Sequence, residues 1–294
     1  MKQKQLSPEV IHKIKQLEIF TRRLLNGTLV GDSRSAIKGT GFEFDQIREY
    51  GCGDDIRFVD WKASARANKL LVKQYIEERS RIIFLAVDVS LSSVFGSAKT
   101  SKYDRIAEVA SVLALVAQHG KDHVGLLLFS DRVCEYISPG SSLHNVHHVL
   151  EKLLSHDPQE SKTDISCALQ HLLATKKSDA IVFLISDFID DAIEKYLAQA
   201  ARKFDLIAVR CLDTHEKNIP AVGFITVEDI ETGEIVELDL RKKNNNKVSC
   251  FLQDRIESQN RLFKKHGIEY LDIMASKQDY LIDMVKFFRH RMMY

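Results

Sequence analysis

Five oxygen-bearing side chains in three separated segments could do chemistry together. Asp88, Ser90 and Ser92 form a D-x-S-x-S run at the end of an apolar strand pattern, 81–87. Thr163 follows a polar loop and stands just ahead of a helical pattern. Asp187 ends a second apolar run, 181–185. Two carboxylates and three hydroxyls are hard donors, the set that a divalent cation such as Mg²⁺ or Mn²⁺ takes while keeping several waters. An ion held by so few formal charges stays electrophilic and has room for an oxygen from another molecule. Taken singly, Asp, Ser and Thr at such places are ordinary cap and turn residues. Only their joint order and topology point to a metal.

Other chemistry finds little support. His144, His147 and His148 contain an H-x-x-H spacing, but no Glu follows the first His and no third ligand is evident, so a solvated helix face is expected instead of zinc. There is no phosphate-binding glycine loop and no G-x-S-x-G nucleophile elbow. The five cysteines, Cys52, Cys134, Cys167, Cys211 and Cys250, are odd in number and lack a C-x-x-C, which predicts reduced, mostly buried thiols in a cytoplasmic protein. The charges of 42 basic and 41 acidic residues balance to +1, so no nucleic-acid partner is implied. Apolar runs as short as 82–87 are far below the ~20 residues of a membrane span, and no direct membrane insertion is expected.

The elements that must position these residues follow from periodicity. Ser7 and Pro8 open a helix to about residue 25. Residues 27–60 are glycine-punctuated and charged, an irregular or short-stranded region expected to pack on Phe42, Phe44, Tyr50, Phe58 and Trp61, with a strand at 70–76. From residue 81, strands and helices alternate: strand 81–88, helix 102–119 started by Ser101 and Asp104, a strand pair at 124–129 and 133–137, helices 142–155 and 164–176, strand 180–186, helix 190–203 and strand 205–212. A hairpin turning at 231–233, a polar connector at 241–247, helix 248–266, strand 268–273 and helix 277–291 complete the chain. This alternation implies an open, mostly parallel sheet flanked by helices, in which strand-end loops converge at the carboxyl edge.

The D-x-S-x-S, the Thr and the later Asp, each at a strand-to-helix turn, resemble the metal-ion-dependent adhesion site of von Willebrand factor A domains. Ser161 and Lys162 stand where typical A domains often have a glycine pair, and acidic Asp164 follows Thr163. A second cue is the run Gly39-Thr40-Gly41-Phe42-Glu43-Phe44 and then 48–66, with Arg48, Gly51, Gly53, Asp54, Asp55, Arg57, Asp60, Trp61 and Arg66. It resembles the signature of the domain-of-unknown-function-58 family, and the likeness extends through 71–73, the D-x-S-x-S, 207–210 and 231–234. That resemblance implies a von Willebrand A-like (Rossmann-like) α/β domain over 78–294 with a hairpin insertion near 223–238, and a smaller N-terminal subdomain over 1–77. It implies no enzyme but a metal-dependent adaptor or chaperone-like partner of a MoxR-type AAA+ ATPase, acting on a client protein. The rivals are a metal-dependent phosphoesterase using Asp164 or Asp131 as base, and a scaffold with a vestigial metal site. Bidentate pairing among the signature's charges is expected to lock that segment, with Asp60 and Arg66 in stabilising pairs beside Trp61.

Overall fold

The computed structural model describes residues 8–28, 41–51, 53–78, 80–94, 101–157, 162–175, 177, 179–190, 193–213, 223–228, 235–240, 242–277 and 279–292. Ser7, Gly39, Cys52, Ser161 and the 231–233 turn lie outside them.

Six strands form the central sheet: β3 (Ile82–Asp88), β4 (His123–Phe129), β5 (Val133–Gly140), β6 (Ile181–Ser186), β7 (Asp205–Leu212) and β10 (Glu269–Met274). Their spatial order is β10-β7-β6-β3-β4-β5, with every pair parallel except β4 with β5. The sheet is covered on both faces, which is why its middle strands read as unbroken apolar runs. Alternate residues of β3 separate the two cores. Ile83, Leu85 and Val87 face α1 (Pro8–Thr28), α3 (Lys102–His119), α4 (Leu143–Ser155) and α8 (Tyr280–Met292). Phe84 and Ala86 face α5 (Ile165–Ala174), α6 (Glu194–Lys203) and α7 (Lys242–Lys265). The N-terminal helix is part of the first core through Ile14 and Leu17. Among the described residues no helix is long and apolar enough to cross a membrane.

The chain leaves β3 through α3 to β4 on one side, whereas β6 lies on the other side of β3. The connections diverge there, so the loops after β3 and β6 lead away in opposite directions at the carboxyl edge. In open α/β sheets that switch point is where ligands bind.

The signature segment forms a small unit of its own. β1 (Gly41–Glu49) pairs antiparallel with β2 (Leu71–Glu78), and a 3₁₀ turn (Ile56–Phe58) and α2 (Trp61–Ala67) lie between them. The expected charge pairing is local. Arg48 grips Asp54 through two hydrogen bonds of 2.7 Å, and Asp54 also accepts the Gly51 amide at 2.8 Å. Those contacts, led by the guanidinium, hold the Asp54 carboxyl below its usual range. Asp60 caps α2 by accepting the Lys62 and Ala63 amides, and sits 3.3 Å from the Lys73 ammonium.

Four expectations need correcting. Phe58 and Trp61 do not pack the segment: Phe58, ending the 3₁₀ turn, is 39% exposed, and Trp61 is 64% exposed because α2 is too short to bury its first turn against β2. Arg66 is exposed on α2 and makes no ion pair among the described residues, so only Asp60 of that expected couple is structural. The polar run at 242–247 is the opening of α7, not a connector, since it holds no Gly or Pro and its lysines are good helix formers. Of the described cysteines only Cys211 is buried; Cys134 and Cys250 are exposed, and Cys167 lies between.

The most deeply buried charge in the sheet is Arg210 of β7, with no exposed surface. Its guanidinium donates to both oxygens of Asp272 on β10 (2.9 and 3.0 Å) and to Gln259 (2.7 Å) and Asn260 (2.8 Å) of α7. Replacing Arg210 by Met should destabilise the fold by about 3 kcal/mol, the low end for a broken buried pair because Asp272 retains some solvent. Urea unfolding of the two proteins measures this; equal midpoints would show that α7 is held to the sheet by its apolar contacts alone.

Candidate functional site

All five candidate residues meet at the switch point. Asp88 is the last residue of β3, and the chain then folds into a tight 3₁₀ turn (Leu91–Val94) closed by Ser93, whose hydroxyl donates to the Ser90 carbonyl at 2.6 Å. The turn aims Ser90 and Ser92 in one direction, their hydroxyl oxygens 3.0 Å apart. The segment carrying Thr163 is brought in by the Asp164 amide, which donates to the carbonyl of Ser130 just beyond β4 (2.9 Å). Thr163 then donates to Ser90 (2.7 Å) and lies 3.4 Å from the Ser92 oxygen. The Thr163 hydroxyl, 71 and 73 residues beyond Ser92 and Ser90, thus joins theirs in one contiguous polar group.

The carboxylates lie deeper. Asp88 is 1% and Asp187 5% exposed. Each Asp88 oxygen has a partner: one accepts the Ser90 amide (2.9 Å), the other the Ser186 hydroxyl (2.6 Å). Burial, and next the nearby Asp187 carboxylate, push the Asp88 acid up to about 6, against these hydrogen bonds, which favour its ionised form. In Asp187 one oxygen accepts the Ile189 amide (3.1 Å), whereas the other is buried and, among the described residues, has no hydrogen bond. The Lys102 ammonium lies 3.6 Å from that oxygen, on a side chain only 2% exposed.

Ser186 and Lys102 are the two site residues that sequence reasoning missed. Ser186 has a signal, a hydroxyl closing an otherwise apolar strand directly before the Asp. Lys102 has a fainter one: a cation in the first turn of α3 opposes the helix dipole, which favours anions at that end.

The loop after Asp187 is under strain. Phe188 has a φ of 57°, a left-handed conformation costly for a large side chain. Three contacts impose it: the Phe188 amide donates to Ser186 Oγ (3.1 Å), its carbonyl accepts from Gln259 (2.8 Å), and its ring packs edge-on against Phe263, centroids 5.1 Å apart. Asp190 then accepts the Ile165 amide at the start of α5 (3.1 Å), so the loops after β6 and before α5 are tied together.

The donor set fits a hard divalent ion. It offers converging hydroxyls, two buried carboxylates and a carboxylate oxygen with no hydrogen bond. Ser90, Ser92 and Thr163 would hold the ion, with Asp88 acting through water because both its oxygens are engaged. Such an ion would supply a Lewis-acid contact for an incoming oxygen. Among the described residues no cluster of three or more His, Cys, Asp or Glu side chains has metal-ligand placement, so this hydroxyl-rich group stands apart from the usual soft or carboxylate-rich centres. The groups considered as bases are elsewhere engaged or exposed. Asp164 caps α5 by accepting the Cys167 amide (3.2 Å), and Asp131 is an exposed acceptor for Ser130. Burial, with Asp164 next, raises the Cys167 thiol to about 12, so it is no nucleophile at neutral pH. His147 and His148 lie on an exposed face of α4 beside Glu18 and Glu151.

Together these features define an open, doubly wound α/β protein with a hydroxyl–carboxylate cluster at its switch point. The chain belongs to the family described as protein of unknown function DUF58, whose model matches residues 46–251. It is 25% identical over 287 residues to the uncharacterized protein Rv1480 of Mycobacterium tuberculosis and to the uncharacterized protein Mb1516 of Mycobacterium bovis, alignments that cover 97% of this chain and 90% of each relative. Among solved structures it is similar to the conserved hypothetical protein BatB from Bacteroides thetaiotaomicron (15% identity, TM-score 0.47) and to an aerotolerance-related membrane protein from Bacteroides fragilis (13%, TM-score 0.47); each likeness covers 71% of this chain and 100% of the other.

Ser186 bonds two buried groups at once, so its loss should be felt although the side chain is small. Ser186→Ala should cost about 2 kcal/mol, the desolvation penalty of leaving the Asp88 oxygen and the Phe188 amide without a partner. Denaturant unfolding in metal-free buffer measures it. A loss below about 0.5 kcal/mol, the size of one weak hydrogen bond, would mean that other groups hold Asp88 in place.

Proposed function

We propose that this chain is a metal-dependent protein-binding module of the von Willebrand A type. In this reading it works in the cytoplasm as an adaptor or chaperone-like partner of a MoxR-type AAA+ ATPase, acting on a client protein. The observation that carries the reading is the convergence of Asp88, Ser90, Ser92, Thr163 and Asp187 at the switch point, with a buried Asp187 oxygen that has no hydrogen bond among the described residues. Mg²⁺ or Mn²⁺ prefers about six oxygens, more than these side chains can supply directly, so an Asp or Glu of the partner would complete the shell. The ATPase rests on the resemblance of the 39–66 signature, and the exposed Trp61 and Ile56 beside it are suited to a second protein contact.

A second reading has one observation behind it. Lys102 already places a fixed cation beside Asp187, as it would in a scaffold that takes no divalent ion.

Calorimetry separates the two. Mg²⁺ or Mn²⁺ should bind the wild-type protein, and the Asp88→Ala/Asp187→Ala variant should lose at least about tenfold in affinity. Identical titrations for both proteins would refute the site. Partner capture is the second check. EDTA, or Ser90→Ala with Ser92→Ala, should weaken capture of the AAA+ ATPase while circular dichroism shows an intact fold. Capture indifferent to both treatments would place docking on another face.

A further inference from the structure

Lys102 is costly where it stands. Its side chain is 2% exposed, and a buried ammonium loses its hydration. It occupies the first position of α3, where the helix dipole disfavours a cation. A neutral residue would serve the helix better, and the Asp187 carboxylate beside the ammonium offsets part of that cost. Its Nζ lies 3.6 Å from the Asp187 oxygen that has no hydrogen bond, close enough for strong Coulomb attraction but too long for a direct bond. The ammonium therefore acts on Asp187 as a through-space charge and leaves the oxygen's lone pairs available.

We infer that Lys102 is a resident counter-cation of the Asp88–Asp187 cluster, which a divalent ion must work against when it binds. The inference rests on the proposed metal site and adds a property to it. The same charge has two opposite effects. Without a divalent ion it offsets the repulsion between two buried carboxylates and stabilises the fold. Toward an arriving Mg²⁺ it is a like charge beside one of the cluster's carboxylates, in surroundings that screen poorly, and it weakens binding. A lysine that merely packs the start of α3 would show the first effect without the second.

The test is Mg²⁺ titration calorimetry on metal-free wild type, Lys102→Met, Lys102→Arg and Asp187→Asn, with a melting curve for each in the presence and absence of MgCl₂. Lys102→Met should melt lower than wild type without Mg²⁺, yet bind Mg²⁺ about tenfold more tightly, or more, because the like charge is gone. Lys102→Arg keeps the charge and should bind as wild type does, and Asp187→Asn should lose binding. Lys102→Gln, with a polar head, repeats the comparison if the methionine variant does not fold. Wild type binding Mg²⁺ as tightly as, or more tightly than, both neutral variants would overturn the counter-cation and leave the metal site standing. Tighter binding by Lys102→Arg would also overturn it. Binding by a neutral variant but not by wild type would support it in its strongest form. No binding by wild type or by either neutral variant would overturn the metal site, and the counter-cation with it.

Discussion

Two carboxylates buried at the carboxyl edge of a parallel sheet repel each other and have lost most of their water. The surroundings of Asp88 and Asp187 are arranged around that cost. Backbone and hydroxyl donors from Ser90, Ser186 and Ile189 take three of the four carboxylate oxygens, and the Lys102 ammonium stands beside the fourth. Charge-assisted hydrogen bonds are among the stronger interactions available to a buried anion, and here they come from the ends of two strands, with the ammonium of a third segment beside them. The compensation therefore ties the ends of β3 and β6 and the start of α3 together while it tolerates the charge.

The strain at Phe188 belongs to the same arrangement. A large residue at positive φ persists only when its neighbours over-determine it. Ser186 holds its amide, Gln259 its carbonyl and Phe263 its ring. Gln259 is in turn held by Arg210, whose other donors reach Asp272 and Asn260. A continuous chain of bonds thus runs from a wholly buried guanidinium on β7, through α7, to the residue next to Asp187. The lock on Arg210 thus reaches, through Gln259, the backbone of the residue that follows Asp187.

Much of this was legible in the sequence. Long apolar runs at 82–87 and 181–185 fix central strands, and the ordered Asp-Ser-Ser, Thr and Asp at their ends fix which edge carries the polar cluster. The alternation of strands with helices led to the sheet, and the helix from 102 and the strand at 205–212 fall where expected. What stayed hidden depends on tertiary context. Nothing local says that Lys102 turns inward, since a lysine at a helix start normally reaches solvent. The exposure of Trp61 was misjudged because aromatic residues usually pack, and only the shortness of α2 leaves this one outside. Arg66 was assigned a partner because charges alternate along the segment, yet Arg48 with Asp54 and Arg57 with Asp55 complete their pairing without it.

Charge counting connects the cluster to the function proposed for it. In formal charges, two carboxylates and one ammonium give the Asp88, Asp187 and Lys102 group one net negative charge. A divalent ion bound as proposed would carry it past neutrality to one net positive charge in a site shielded from water. That surplus is unfavourable until an anion arrives, and a carboxylate from a partner protein would restore neutrality while filling the open coordination position. Without Lys102 the two carboxylates would balance the ion by themselves, and an incoming anion would gain less. On this reasoning the buried lysine that weakens the resting metal site is also what favours a metal-bound complex with an acidic partner over the metal-bound protein alone.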